Sequence, residues 1–429
     1  MTLRLLLLLA LPLALAPEAA AQEASALRVA YDCQTRGCDR DFFQTELPYV
    51  QFVRDQGDAD VFVLITGDRT GSGGRRYSLF FQGRGEFADE EKTLTVSTSL
   101  DATDDDERRA IASRLSLGLA TFVARTPLAD RLTVVYDGPA AGEAATPEAE
   151  QDDPWNGWTF RTRANSFFRG ESRQSSFNGN GRLSADRVTD LWKLEVDVFG
   201  NYGRDTFEST TDAGDDTTFV SERSGYGGGV LLVRSLGDRL SAGLQVSASS
   251  NTFSNYRARV VGGPGVEVSL FPYDEVTRRL VTASYSLGLE VAAYRDTTIF
   301  GVIDEVLPQH SARVGAELAQ PWGSVNVELT AQQYLSQLDK YQVGLGGGIN
   351  VRLARGLQLN LGGNASLIEN QLSLSAEGLT TEEILTRQEQ QATSFRYFGN
   401  VGISYAFGSI FNAVVNPRFS EGGGVIIIG

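Results

Sequence analysis

Histidine is almost missing from this sequence: His310 is the only one in 429 residues. One imidazole cannot build a histidine metal cluster, and it narrows the scope for acid–base chemistry near neutral pH. Cysteine is nearly as scarce, with Cys33 and Cys38 the only two. Two thiols without a neighbouring His do not make a zinc site, and their spacing is not the Cys-x-x-Cys of thiol oxidoreductases. Positive charge is short as well. Lys and Arg number 38 against 54 Asp and Glu, a net charge of −16, which argues against nucleic acid as a partner. Beyond the first residues, nothing approaches the roughly 18 unbroken apolar positions of a membrane helix.

What is present begins with an export signal. Arg4 gives a basic start, Leu5 to Leu15 an apolar run and Ala19-Ala20-Ala21 a small-residue cleavage site, so residues 1–21 read as a signal peptide and Gln22 as the mature start. No Cys follows that site, which disfavours a lipoprotein. In an oxidising compartment Cys33 and Cys38 are expected to form a local disulfide.

Residues 22–137 read as a small α/β domain. Strands are expected at Leu27–Tyr31, Ala59–Thr66, Arg75–Gln82, Thr93–Leu100 and Leu132–Tyr136. A helix interrupted near Pro48 is expected over Asp41–Arg54, and a second over Asp104–Arg125 with Ile111, Leu115, Leu119 and Phe122 on one face. The acids of Asp101–Glu107 suggest either a cation site or a helix start, and Thr103 with Asp106 three residues on favours the start. Gly71-Ser-Gly-Gly74 lacks the Lys-Ser/Thr and helix of a phosphate loop and reads as a hairpin turn. The order of elements resembles the N-terminal domain of the periplasmic protein TolB. Residues 138–154, rich in Pro, Ala and Glu, form a flexible acidic linker.

From Trp155 to Phe407 the pattern is strand after strand with a two-residue period. Val281, Ala283, Tyr285, Leu287, Leu289 and Val291 alternate with Thr282, Ser284, Ser286 and Glu290; Val325, Val327 and Leu329 alternate with Asn326, Glu328 and Thr330. About twelve strands are expected, near 157–169, 175–187, 190–204, 221–235, 239–255, 257–270, 279–295, 310–321, 323–337, 340–354, 356–370 and 393–407. Links such as Val188-Thr-Asp190 and Ala354-Arg-Gly356 are short, and those at 205–220, 296–309 and 371–392 are long. Short periplasmic turns, long outer loops and one continuous greasy face predict an all-β antiparallel transmembrane barrel in the outer membrane, its N-terminal domain in the periplasm. A soluble sandwich would carry charge on its outer faces. Glycine runs at 227–229 and 346–348 are expected to mark bends or close packing.

The last strand, Phe395 to Phe407, ends Gly402-x-x-Tyr405-x-Phe407, with Val401 where a polar residue is usual. It resembles the C-terminal signal of bacterial outer-membrane barrels, which implies recognition by the barrel assembly machinery through Gly402, Tyr405 and Phe407. Phe271-Pro-Tyr-Asp-Glu-Val-Thr-Arg-Arg279, Tyr285-Ser-Leu-Gly288, Thr297-Thr-Ile-Phe300 and Phe411-Asn-Ala-Val-Val-Asn-Pro-Arg-Phe419 resemble the salt-induced outer-membrane-protein family of small barrels. That resemblance covers the barrel half and implies a membrane barrel. Beyond Phe407 the tail 408–429 ends in Val425-Ile-Ile-Ile-Gly429, expected either to add as an edge strand to the α/β sheet or to a partner's sheet, or to form a disordered stub or a plug in the barrel mouth.

Parity places Arg161, Arg163, Arg182, Lys193, Arg257, Arg259, Arg313, Arg352 and Arg396 in the lumen, with Asp186, Glu195, Asp197, Glu267, Glu290, Glu317 and Glu328. Signs that nearly balance predict ion-pair networks across the lumen that narrow or close the bore. His310 shares the parity of outward Ala312 and Val314 and has no Ser two residues on, so catalysis by it is not expected. No catalytic, cofactor or metal residues are expected. Three functions remain: a non-enzymatic narrow pore or structural barrel whose periplasmic domain docks a partner, a selective transporter of a small solute or hydrophobic ligand, and, least favoured, an outer-membrane hydrolase.

Overall fold

A computed structural model describes residues 26–131, 133, 153–210, 216–376 and 392–408. The signal peptide, nearly all of the expected strand Leu132–Tyr136, most of the linker and the tail from residue 409 lie outside the described residues.

In the first domain, β1 (Leu27–Cys33), β2 (Val50–Phe52), β3 (Val61–Arg69), β4 (Arg75–Gly83) and β5 (Glu91–Thr98) form one sheet in the order β2-β1-β3-β4-β5. β1 runs parallel to β2 and β3, and β3, β4 and β5 are antiparallel. The helix expected over Asp41–Arg54 is shorter: α1 spans Arg40–Glu46 and stops at Leu47. Pro48 follows directly and cannot continue it, so Val50-Gln-Phe52 is released to pair as an edge strand. The second helix, α2 (Asp104–Val123), starts on the expected box: Asp106 N–H donates to Thr103 Oγ1 and Thr103 N–H to the Asp106 carboxylate. Its Ile111, Leu115, Leu119 and Phe122 pack on Val61, Val63, Ile65, Leu79 and Phe81. Gly118 makes the close approach possible, because a Cβ there would lie 2.0 Å from the Phe81 ring. Cys33 and Cys38 are disulfide-bonded.

Among the described residues the other face of this sheet carries no helix, yet its centre is apolar and buried, with Phe62, Leu64 and Phe80 at 0, 1 and 8 % exposure. β3 is therefore apolar on both faces, which explains why it reads as an unbroken hydrophobic run rather than an alternation.

The second domain is one twelve-stranded antiparallel sheet in strict chain order. Its strands are β6 (Trp158–Glu171), β7 (Gln174–Val188), β8 (Trp192–Thr210), β9 (Asp216–Ser235), β10 (Leu240–Asn251), β11 (Tyr256–Ser269), β12 (Arg279–Tyr294), β13 (Asp304–Gln320), β14 (Gly323–Tyr334), β15 (Tyr341–Ala354), β16 (Leu357–Ile368) and β17 (Phe395–Tyr405). The observed architecture is the expected one, a barrel sheet of twelve strands after a small α/β domain. Two loops are shorter than the sequence suggests. Most of 205–220 is strand, where β8 and β9 run on as a long hairpin, and β13 starts at Asp304 by pairing with the end of β12. Glycine permits tight strand contact: a Cβ on Gly347 would fall 2.1 Å from the Asn326 carbonyl oxygen. Among the described residues β6 and β17 form no hydrogen bonds with each other, so the sheet has two edges.

Candidate functional site

The N-terminal domain sits against the short-turn end of the twelve-stranded sheet. It presents the helix-free face, where Ala30, Asp32, Phe62, Leu64, Thr66, Asp68, Ser78 and Phe80 share one side through the register of β1, β3 and β4. Arg278, in the turn before β12, lays its guanidinium 4.1 Å from the centre of the Phe80 ring. In the β15–β16 turn, Arg355 pairs with Asp58 at 2.5 Å and Gly356 N–H donates to Asp55 Oδ2 at 2.9 Å. Arg352 faces Asp32 at 4.0 Å. Burial lifts the Asp32 carboxyl above the usual range, with Arg352 pulling the other way. At the first strand, β6, Thr159 Oγ1 donates to the Gly71 carbonyl at 3.4 Å. The expected Gly71–Gly74 turn is formed, and Gly73 takes a φ of 84° that favours glycine.

Two cavities lie at this junction. One, of about 490 Å³, brings Arg69, Thr70 and Gly71 of the hairpin together with Arg161, Arg163, Arg182, Lys193, Glu195 and Asp197. Those six residues, assigned to the lumen by parity, thus line one space. Arg161 pairs with Asp186, and Lys193 with Glu195 at 3.0 Å. The other, of about 480 Å³, collects Asp32, Thr66 and Asp68 from the domain and Arg278, Glu317 and Arg352 from the barrel rim.

Near the long-loop end, Glu290 is fully buried. Arg259 donates to both its oxygens at 2.8 Å, and the Tyr334 and Tyr256 hydroxyls add bonds of 3.1 and 3.4 Å. The segment 370–376 folds over this cluster. Leu372 packs with Leu307 and Tyr334, Asn255 Nδ2 donates to the Ser373 carbonyl at 2.9 Å, and Thr298 and Ser375 form a β-bridge. Arg313 and Glu328 pair at 3.6 Å.

These ion pairs correct one expectation. Arg161–Asp186, Arg223–Asp205, Arg259–Glu290 and Arg313–Glu328 each join neighbouring strands, and Lys193–Glu195 lies within one. Adjacent strands are about 4.8 Å apart, so lateral partners are reached before opposite walls. Arg396, on the edge strand β17, is exposed. Tyr405 and Phe407 are exposed too, their rings stacked 5.5 Å apart, and Gly402 lies beside Asn360. His310 Nδ1 is 3.0 Å from the Tyr285 hydroxyl and its Nε2 3.0 Å from Gln333 Oε1. Ser311 is engaged instead by Ser286 at 2.7 Å. Asp55, Asp58, Arg278 and Arg355 escaped sequence reasoning, and the doubly apolar β3 was the one sign that a second surface covers the sheet.

Residues 165–386 match the family described as a protein of unknown function, DUF481, and the chain belongs to that family. No curated protein matches it. Among solved structures it is similar to the NanC porin, at 9 % identity over 57 % of this chain and 99 % of that one, with a TM-score of 0.28. It is also similar to the Pseudomonas putida toluene transporter TodX, at 12 % identity over 50 % and 75 % of the two chains, with a TM-score of 0.25. The translocator domain of the autotransporter NalP from Neisseria meningitidis matches at 12 % identity over 58 % and 81 %, with a TM-score of 0.19. Superpositions this loose carry no argument about what the chain does.

Proposed function

We propose that this chain is a non-enzymatic outer-membrane β-barrel with a narrow bore, stoppered from the periplasmic side by its own N-terminal domain. The observation that carries the reading is the seating of the domain on the barrel rim, through Arg278 on Phe80, Arg355 on Asp58 and Gly356 on Asp55. Phe80 lies under the rim's Arg278 guanidinium, and fully burying a side chain of this kind is worth about 1.5–3 kcal/mol. The membrane setting is supported by outward rows such as Tyr285, Leu287, Leu289 and Val291, each close to half exposed, on strands long enough to cross a bilayer. The export signal and the Gly402–Phe407 ending agree with it, as do the resemblances to salt-induced outer-membrane proteins and to the TolB N-terminal domain. A catalytic role is disfavoured because His310 and Ser311 are each engaged by other side chains. A periplasmic partner would find two sheet edges of the domain, β2 and β5, that are unpaired among the described residues.

The test uses proximity. A Cβ at Gly71 would lie 2.8 Å from Val188 Cβ, and a small outward shift of the hairpin tip opens this to the roughly 3.5–4.5 Å of a disulfide, so Gly71→Cys with Val188→Cys should cross-link in outer membranes and give a silent protein in planar bilayers. Phe80→Asp with Arg278→Ala should conduct. Absence of the cross-link, or equal conductance in the two variants, would overturn the reading.

A further inference from the structure

The 480 Å³ cavity between domain and rim gathers unpaired polar atoms from both sides, although Gln34 Nε2 donates to Asp32 Oδ2 at 3.5 Å. Thr66 is 3 % exposed, yet among the described residues its Oγ1 has no hydrogen-bond partner, and neither do Gln34 Oε1, Arg278 Nε or Arg352 Nη1. Buried polar atoms are paired in the great majority of native structures, so four orphans around one space mark it as built for something polar. Its size falls within the roughly 300–1,000 Å³ of small-molecule sites.

The charges select the chemistry. Arg278 and Arg352 bring two guanidinium groups, while Asp32, Asp68 and Glu317 bring three carboxylates. Arg352 and Asp32, at 4.0 Å, stand too far apart to satisfy each other by a hydrogen bond. Burial lifts the Asp32 and Asp68 carboxyls above the usual range, with Arg352 and Arg75 pulling the other way. A simple anion would meet the carboxylates and a simple cation the guanidinium groups. A neutral polyol would leave both signs uncompensated. A solute carrying a carboxylate and an ammonium answers both.

We propose that this cavity is a binding site for a small zwitterion of the amino-acid or short-peptide class, its carboxylate held by Arg352 and Arg278 and its ammonium by Asp68 and Asp32. The site exists only while the domain is seated, so the inference rests on the reading above and gives the stopper a ligand.

Titration calorimetry on the full-length protein in detergent micelles, with glycylglycine as probe, tests it. Saturable binding is expected, with acetate, methylammonium and erythritol at least about tenfold weaker. Arg352→Gln and Asp68→Asn should each weaken glycylglycine about tenfold, the loss of one charge-assisted hydrogen bond. The Gly71–Val188 cross-link, built into each variant, reports seating independently. A formed cross-link without saturable binding would overturn this proposal and leave the stopper standing. A missing cross-link in the otherwise unaltered chain would overturn both. Equal binding of erythritol, or full affinity in both charge variants, would overturn the assignment.

Discussion

Tyr77 lies fully buried where the sheet meets the disulfide loop, with the Glu107 carboxylate close by. Burial first, and that carboxylate second, push its phenol up to about 12. Burial also raises Tyr31 to about 12. Both folded values exceed the ordinary 10.0 of the unfolded chain. Their contribution to stability is therefore complete below the ordinary value and drains away as pH rises through the folded one. Thermal unfolding of the full chain, followed by near-ultraviolet circular dichroism, should show the N-terminal transition falling steeply across that alkaline window. Tyr77→Phe should flatten the fall, and an unaltered slope in that variant would remove Tyr77 as its cause. At this scale the sequence was readable where a residue acts on its neighbours. Thr103 and Asp106 cap α2, and Cys33 meets Cys38, each within a few positions. It was unreadable for Asp55 and Asp58, whose partners Gly356 and Arg355 lie in another domain and leave no local mark.

Among the elements, the loop closed by Cys33–Cys38 is the most self-contained. It holds Arg36 against buried Glu107 of α2 at 2.7 Å, and it places Gly37, at a φ of 87°, where a Cβ would crowd Ile111 and Glu107. A loop this short gains little from cross-linking, since the entropic benefit grows with length. Replacing both cysteines by Ser should cost the domain about 2 kcal/mol in denaturant unfolding. Thiol labelling of the purified native protein should find no free cysteine, and two labelled thiols would contradict the bond. The barrel strands were legible because a sheet with one greasy and one wet face writes its period into the chain; Leu287, Leu289 and Val291 against Ser286 and Glu290 need no tertiary information. β2 was not, because three residues carry no period, and its pairing with β1 is decided by Pro48 ending α1. The lateral ion pairs were invisible for a different reason: parity gives the face of a residue but not which neighbour it reaches.

At the scale of the whole molecule, the seating of the domain depends on charges from two distant parts of the chain. Asp58, largely buried, faces the exposed Arg355. Asp58→Arg or Arg355→Asp alone places like charges together and should unseat the domain, seen as protease sensitivity at 26–131 and as bilayer conductance. The two together should restore both to the starting values. Failure of the double variant to recover either would mean that this pair does not hold the domain in place.

The unpaired edges of β6 and β17 bear on how the barrel closes. Unsatisfied backbone groups cannot face hydrocarbon, so in a bilayer the two edges must find each other. The N-terminal domain touches the chain beside both of them: Gly71 meets Thr159 on β6, while Arg54 Nη2 donates to the Gly408 carbonyl just past β17 at 3.5 Å. The domain is thus fastened on both sides of the seam between the first and last strands, and in the closed barrel it bridges that seam like a clasp.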